Sequence, residues 1–330
     1  MEDILTRLRQ ARSDEEREWL VMQLSLDNMN AELREAVWAA SILRWFDAEY
    51  LKATLNNSAF DRFDDLIHLS FVEPFENRGY NIHERSHKLL EKHLWDERPE
   101  YYRQLSQRAS AYCFSQDLED TGWMIEYICH LLVAEPERGV NEFRNICTKW
   151  YNPPLFADEK IEALTRSVRE REHATLDSPD AMCYCLYWEA KIDYIKSRFP
   201  DALEKVTEIK NYDIKDQELI ADSAFLHGNV EQMQAGYDIA KTHYQHALSI
   251  YQQIGGKLGE ANILGAQGDI ERLQAEYHAA KTHYQHALLI YQQIGDKRGE
   301  ANTLGAQGDV ERMQAEYHAA KTHYQHALLI

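Results

Sequence analysis

Shifted by forty residues, this sequence falls on itself. Residues 251–290 match 291–330 at all but five positions, and a more divergent copy over 211–250 keeps Gly228, Tyr237 and the run from Ala240 to Leu248. A period of roughly 20–50 residues means stacked supersecondary units, none of which can bury its apolar face alone. Within one unit, Ala261, Leu264 and Gly268 fall on one face of a first helix, and Tyr277, Ala280, Tyr284, Ala287 and Tyr291 recur three and four apart on a second. Each unit therefore reads as two antiparallel helices. Gly268 is expected to let the two backbones approach, while Ala280 and Ala287 leave grooves for tyrosine rings. Ile254-Gly255, repeated as Ile294-Gly295, ends the second helix, because glycine takes left-handed dihedrals cheaply there.

These positions resemble the tetratricopeptide repeat (TPR) over about 211–330. Its signature of small residues and aromatics falls on Gly228, Ala240 and Ala247, then on Gly268, Tyr277, Ala280, Tyr284 and Ala287, then on Gly308, Tyr317 and Ala320. The glycine usual between the helices is instead Ala275 or Ala315, and the period is 40 rather than about 34. The longer unit is similar to the extended-helix variety of kinesin light chains and many bacterial signalling proteins. The resemblance implies an α-solenoid whose first helices line a concave groove presenting Asn262, Asp269, Arg272, Asn302, Asp309 and Arg312. Such a mixed surface suits a protein or peptide ligand. Gly265 and Asp269 stand where some family members carry a carboxylate clamp, which disfavours binding of chaperone tails. The array stops at Ile330 inside a second helix without a polar capping helix, so a fragment with a truncated last repeat is expected.

Paired histidines, His243 with His246, His283 with His286 and His323 with His326, sit three apart on the second helices. Nothing acidic or thiol is expected to join them, so they read as solvated surface rather than metal ligands.

Fifty-five acidic against thirty-six basic residues give a formal charge of −19. That field repels phosphate backbones and anionic lipid, which argues against nucleic-acid and membrane partners and for a neutral or basic one. Cys113, Cys129, Cys147, Cys183 and Cys185 are odd in number and form no CxxC pair, as suits buried reduced thiols in a cytoplasm. The charged first thirty residues contain no signal-peptide pattern, and no stretch has the roughly 18 apolar residues of a membrane span.

The N-terminal half has a different pattern. A capping box, Ser13 with Glu16, opens a helix to about Leu24. Helices then follow over Ala31 to Arg44, from Asp47 to Leu55 and from Phe60 to Leu69, before Phe71-Val72-Glu73, a turn at Asn77-Arg78-Gly79, and Tyr80-Asn81-Ile82. Three helices and a small β-hairpin read as a winged helix. Its third helix carries Asp61, Asp64 and Asp65 against one Arg62, a poor surface for DNA. Tyr80-Asn81-Ile82-His83-Glu84 and the helix through Leu89, Leu90 and Leu94 resemble the histidine-acid motif closing the winged helix of STAND (NB-ARC-type) signalling ATPases. The segment from Pro99-Glu100-Tyr101-Tyr102 to Tyr112 is similar to the helix that follows it in bacterial members with TPR sensors. The resemblance implies that His83 senses nucleotide. No GxxxxGK[ST] occurs, so that role requires a separate ATPase chain, and no cofactor is expected on this one.

His83-Glu84-Arg85-Ser86-His87 also fits HExxH, in which two histidines hold zinc and the glutamate is the general base. Leu90 replaces the glycine that would return His93 to the metal, and on an unbroken helix His93 lies roughly 240° from His87. Leu105 to Arg108 supply no alternative ligand. Between the modules, helices are expected around Trp123 to Leu132, Pro136 to Trp150, Asp158 to Arg169 and Pro179 to Ile195, punctuated by Pro153-Pro154 and by Thr175 to Ser178. Trp123, Tyr127 and His130 fall at core spacing, and Cys129 projects about 100° from His130, which supports no catalytic pair.

The expectation is thus an all-α protein with four parts: an N-terminal helix over 1–24, a winged-helix-like domain over 25–97, a helical connector over 98–200, and a TPR solenoid over 201–330. It is expected to be a non-catalytic cytoplasmic interaction module with a STAND-type sensor role. The alternatives are a winged-helix transcriptional regulator and, behind it, an HExxH zinc hydrolase.

Overall fold

A computed structural model describes residues 8, 10–152, 155–171 and 179–330. The punctuation expected at Pro153-Pro154 and Thr175 to Ser178 lies outside the described residues, as do the first seven positions. The chain divides into two compact units, the first ending at Met182 and the second beginning at Cys183.

In the first unit, α1 (Asp14–Asp27) starts at Ser13, whose Oγ accepts the Glu16 amide at 3.1 Å. Glu16 reaches back to the amide of Arg12 rather than of Ser13, at 2.6 Å. Helices α2 (Ala31–Ala40) and α3 (Ala48–Leu55) are capped by Asn30 and Asp47, each accepting a backbone amide three residues on. Helix α2 stops four residues before the expected Arg44. The chain turns because Ser41 Oγ donates to Trp38 O at 2.8 Å and Phe46 exchanges two backbone hydrogen bonds with Tyr80. Helix α4 (Phe63–Ile67) is a single turn rather than the expected Phe60 to Leu69. Strands β1 (Val72–Phe75) and β2 (Gly79–Ile82) pair antiparallel with Val72 opposite Ile82. Gly79 (φ +104°) is needed beside Phe46, since a Cβ there would lie 2.5 Å from Phe46 O.

Helix α5 (Glu84–Glu97) begins straight after this hairpin and leads through α6 (Pro99–Phe114), α7 (Thr121–Ala134) and α8 (Pro136–Tyr151) to α9 (Asp158–Glu170). Proline at the first position of α6 and α8 costs no hydrogen bond. Trp45, Tyr50, Tyr112 and Trp123 form one aromatic cluster, with Trp45 and Trp123 edge to face at 4.3 Å. Trp123 is thus core packing.

Helix α10 (Pro179–Ile195) spans the division. The second unit continues with α11 (Phe199–Glu208), a 3-10 turn (Ile209–Asn211), and three hairpins: α12 (Gln217–Met233) with α13 (Tyr237–Ile254), α14 (Lys257–Leu273) with α15 (Tyr277–Ile294), and α16 (Lys297–Met313) with α17 (Tyr317–Leu329). Ala240, Tyr244 and Ala247 are buried in the first hairpin, and Ala280, Tyr284 and Ala287 in the second. The expected reason for Gly268 is corrected. The room it leaves is filled by a tyrosine ring, because a Cβ there would stand 2.7 Å from Tyr284 Cε1. Gly228 and Gly308 do the same for Tyr244 and Tyr324. Gly255 and Gly295 end α13 and α15 in the left-handed region, at φ +74° and +75°.

Candidate functional site

The first helices of the repeats carry the polar residues that the sequence assigns to a groove. Asp269 Oδ1 accepts the Tyr284 hydroxyl at 2.7 Å, and Arg272 donates to that hydroxyl and to Asp269, both at 3.3 Å. Forty residues on, Tyr324 donates to Asp309 at 2.8 Å and Arg312 lies 3.5 Å from the same carboxylate. In the first copy, Tyr244 Oη instead lies within 2.7 Å of Asn229 Oδ1 and Gln232 Oε1. Asn262 accepts the Tyr291 hydroxyl at 2.6 Å, and Asn302 is exposed. Asp269, Asp309 and Asn262 are therefore tied into hairpin packing by tyrosines. Burial, and then the aspartate, raises the pKa of the Tyr284 and Tyr324 hydroxyls, Tyr284 well above its ordinary value. The arginines keep outward-facing donors, with 22% of the Arg272 side chain and 56% of Arg312 exposed. A guanidinium fixed at one edge by Asp and Tyr can donate to a carboxylate or backbone carbonyl at its other edge.

The second-helix histidines need a correction. His283 Nδ1 lies 2.7 Å from Glu271 Oε2, and His323 Nδ1 lies 2.7 Å from Glu311 Oε2. A hairpin turn between them brings residues twelve apart face to face, so each ring has an acidic partner. His243 differs, since its ring stacks on His227 with centroids 3.8 Å apart.

His83 is the N-cap of α5, and its half-exposed ring stands 3.1 Å from Glu73 on β1. His87 faces Glu91 at 3.7 Å, and His93 stacks on Trp19 at 3.5 Å. The HExxH residues thus point to three separate neighbours. At the start of α4, the preceding Arg62 is engaged by Asp61 and Asp65 at 3.6 and 3.2 Å, leaving that turn acidic.

One buried charged cluster has no counterpart in the sequence reading. Glu126 is fully buried beside His130, with Arg171 Nη2 at 3.2 Å and the Arg44 amide at 3.3 Å. Burial pushes the Glu126 carboxyl up, but Arg171, His130 and the amide outweigh it and hold it at about 2. Burial, then the adjacent Arg171, lowers the His130 pKa. This cluster is closed to solvent and ties the end of α9 to α7. The five cysteines are buried thiols, and burial pushes Cys129 up to about 12, far from a nucleophile. No helix among the described residues is long and apolar enough to cross a membrane.

Residues 219–292 and 259–328 match the family model described as tetratricopeptide repeat, so this part of the chain consists of such repeats. No curated protein matches the chain. Among solved structures it is similar to a signal transduction ATPase with numerous domains (STAND) protein with a tetratricopeptide repeat sensor from Pyrococcus horikoshii. That match has 14% identity and a TM-score of 0.46 over 96% of this chain and 52% of the other. It is also similar to BtubC (BKLC) from P. vanneervenii, with 17% identity and a TM-score of 0.45 over 70% of this chain and 90% of that one. The chain spans about half the length of the first of these.

Proposed function

We propose that the tetratricopeptide array, a non-catalytic scaffold, binds a protein or peptide along the first-helix face marked by Asn262, Asp269, Arg272, Asn302, Asp309 and Arg312. The observation that carries this reading is the Asp–Arg pair repeated at forty residues, each arginine steadied by its aspartate with donors left toward solvent. Two such pairs in fixed register favour an extended or helical segment with acceptors at matching spacing. Full-length chain is used as bait in cell extract, beside the Arg272→Glu/Arg312→Glu variant with its helical circular dichroism checked. Loss of the captured partner from the variant is expected. Retention of the same partner at the same level would place binding on another face.

A further reading is the regulatory half of a STAND-type signalling system whose nucleotide sits on a separate ATPase chain. It is supported by the order of hairpin, His83-Glu84 helix and repeats, and by the accessible ring of His83 at the base of the hairpin. The buried thiols suit a reducing cytoplasm. An ATPase that co-purifies with this chain should lose its regulation with His83→Ala. Unaltered regulation would remove His83 from that role.

A further inference from the structure

The first repeat departs from its two successors along one strip of its first helix. Where the later copies have Glu260 and Glu300, Leu264 and Leu304, and Gln267 and Gln307, it has Ile220, Ala224 and His227, and opposite Ile263 and Thr303 it has Ser223. A leucine has become alanine, an isoleucine or threonine has become serine, a glutamate has become apolar, and a glutamine has become an imidazole. All four changes line one cavity of about 470 Å³, enclosed by the end of α11, the 3-10 turn and the chain to Ile214 on one side and by α12 and α13 on the other. That volume lies within the range of sites for small organic ligands.

The lining has two parts. Val206, Ile209, Ile214, Ile220 and Ala224 make an apolar wall. Lys210, His227, His243 and His246 bring donors, against one carboxylate, Asp213. In a chain of net charge −19 this is an unusual local balance. His227 is 5% exposed and Ser223 6%, and among the described residues neither His227 Nδ1 nor Ser223 Oγ has a hydrogen-bond partner. Buried polar atoms left in this way are expensive unless something pairs with them. Around His227 stand His243, stacked at 3.8 Å, Glu231 at 3.7 Å from Nε2, and Lys210. Burial, then His243 and Lys210, keep His227 neutral, pushed down to about 3; burial and Lys210 also lower His243. A metal fits poorly, because stacked rings do not converge their nitrogens on one point and Lys210 adds a positive charge.

We propose that this cavity binds a small amphipathic organic anion, its apolar body against Ile209, Ile214 and Ile220 and its acidic group among Lys210, His227 and His243. Such a group supplies the acceptor that Ser223 Oγ–H lacks, and that His227 lacks in its Nδ1–H tautomer, and offsets the Lys210 charge. The site lies at the entry to the array, apart from the Asp–Arg face, so it stands or falls independently of peptide binding.

The probe is 1-anilinonaphthalene-8-sulfonate, an apolar anion that fits the volume, with N-phenyl-1-naphthylamine as its uncharged counterpart. Both are titrated by fluorescence against the full-length folded chain. One anion site per chain is expected. Ser223→Ile/Ala224→Leu/His227→Gln installs the residues of the next repeat, fills the cavity and should weaken both probes at least tenfold while circular dichroism is kept. Lys210→Glu, in the short 3-10 turn, should weaken the anion about tenfold and leave the neutral probe within twofold. Absence of a stoichiometric anion site, or undiminished binding to the filled variant, would overturn the cavity assignment. Equal losses of both probes in Lys210→Glu would overturn the anion selectivity.

Discussion

Alanine where a helix hairpin wants glycine gives a prediction that the molecule repeats three times over. At the end of α14, Ala275 has φ +60°; its amide donates to Arg272 O at 3.2 Å and the next amide, Glu276, donates to Glu271 O at 2.8 Å. This is a Schellman ending with alanine in the left-handed position. Ala235 (φ +61°) and Ala315 (φ +63°) repeat it with the same pair of bonds. A left-handed non-glycine residue costs about 1–2 kcal/mol. Glycine removes that cost but loosens the unfolded chain by about 0.4–1 kcal/mol. Ala275→Gly should therefore stabilise by about 0.5–1 kcal/mol. Sites forty residues apart add, so the triple variant should gain about 1.5–3 kcal/mol. The reference is Ala279→Gly inside α15, where glycine should cost about 1 kcal/mol. The measurement is urea unfolding followed by circular dichroism at 222 nm, comparing midpoints at constant slope. Destabilisation of Ala275→Gly to the same extent as Ala279→Gly would show that the turn is not left-handed and refute the reasoning.

Gly268→Ala would place a methyl group 2.7 Å from the buried ring of Tyr284. Overpacking of about 1–3 kcal/mol should exceed the helix-propensity gain of about 1 kcal/mol, giving a lowered unfolding midpoint. Glu126→Gln removes the carboxylate 3.2 Å from the buried Arg171 guanidinium and should cost about 3–5 kcal/mol. With Glu126 held at about 2 in the fold, its contribution is full above the ordinary carboxylate range and is lost as pH falls from there toward 2. His227 has the opposite charge type, but the sign runs the same way. Below about pH 6.5 the unfolded chain takes up a proton that the folded imidazole, pushed down to about 3 by burial, His243 and Lys210, refuses. Stability should fall through that window as pH is lowered, and His227→Gln should flatten the fall in acid unfolding curves.

The repeats are legible because two copies are nearly identical, and so are Gly255 and Gly295, whose role is local to the backbone. Where the outcome depends on which atoms meet across a turn, spacing alone misleads. Gly268 makes room for a ring rather than a backbone. The pairs Glu271–His283 and Glu311–His323 were visible as a repeated offset of twelve, yet only folding of the hairpin turns that offset into a contact. Helix α2 ends at Ala40 because Phe46 is recruited by Tyr80, a partner 34 positions away that no local propensity reveals. The Arg171–Glu126 cluster joins residues 45 apart for the same reason. The cavity beside His227 had a sequence signal in Ile220, Ala224 and His227, where the first copy departs from two identical successors, readable only once those positions are known to share a wall.

The outer tyrosines of the second helices do more than fill space. Tyr291 donates to Asn262 in its own hairpin while its ring lies where a Cβ of Gly299 in the next would be; Tyr251 does likewise with Asp222 and with Gly259. Each such ring is a rivet through two neighbouring hairpins, closing one and seating the next. In a linear array, stability is a sum of unit and nearest-neighbour terms, so removing one rivet weakens both kinds at once. Tyr291→Phe should loosen its own hairpin, whereas bulk added at Gly299 should uncouple the third hairpin from the second and split a single melting transition into two. The array is thus a chain of joints, each ring closing one hairpin and seating the next.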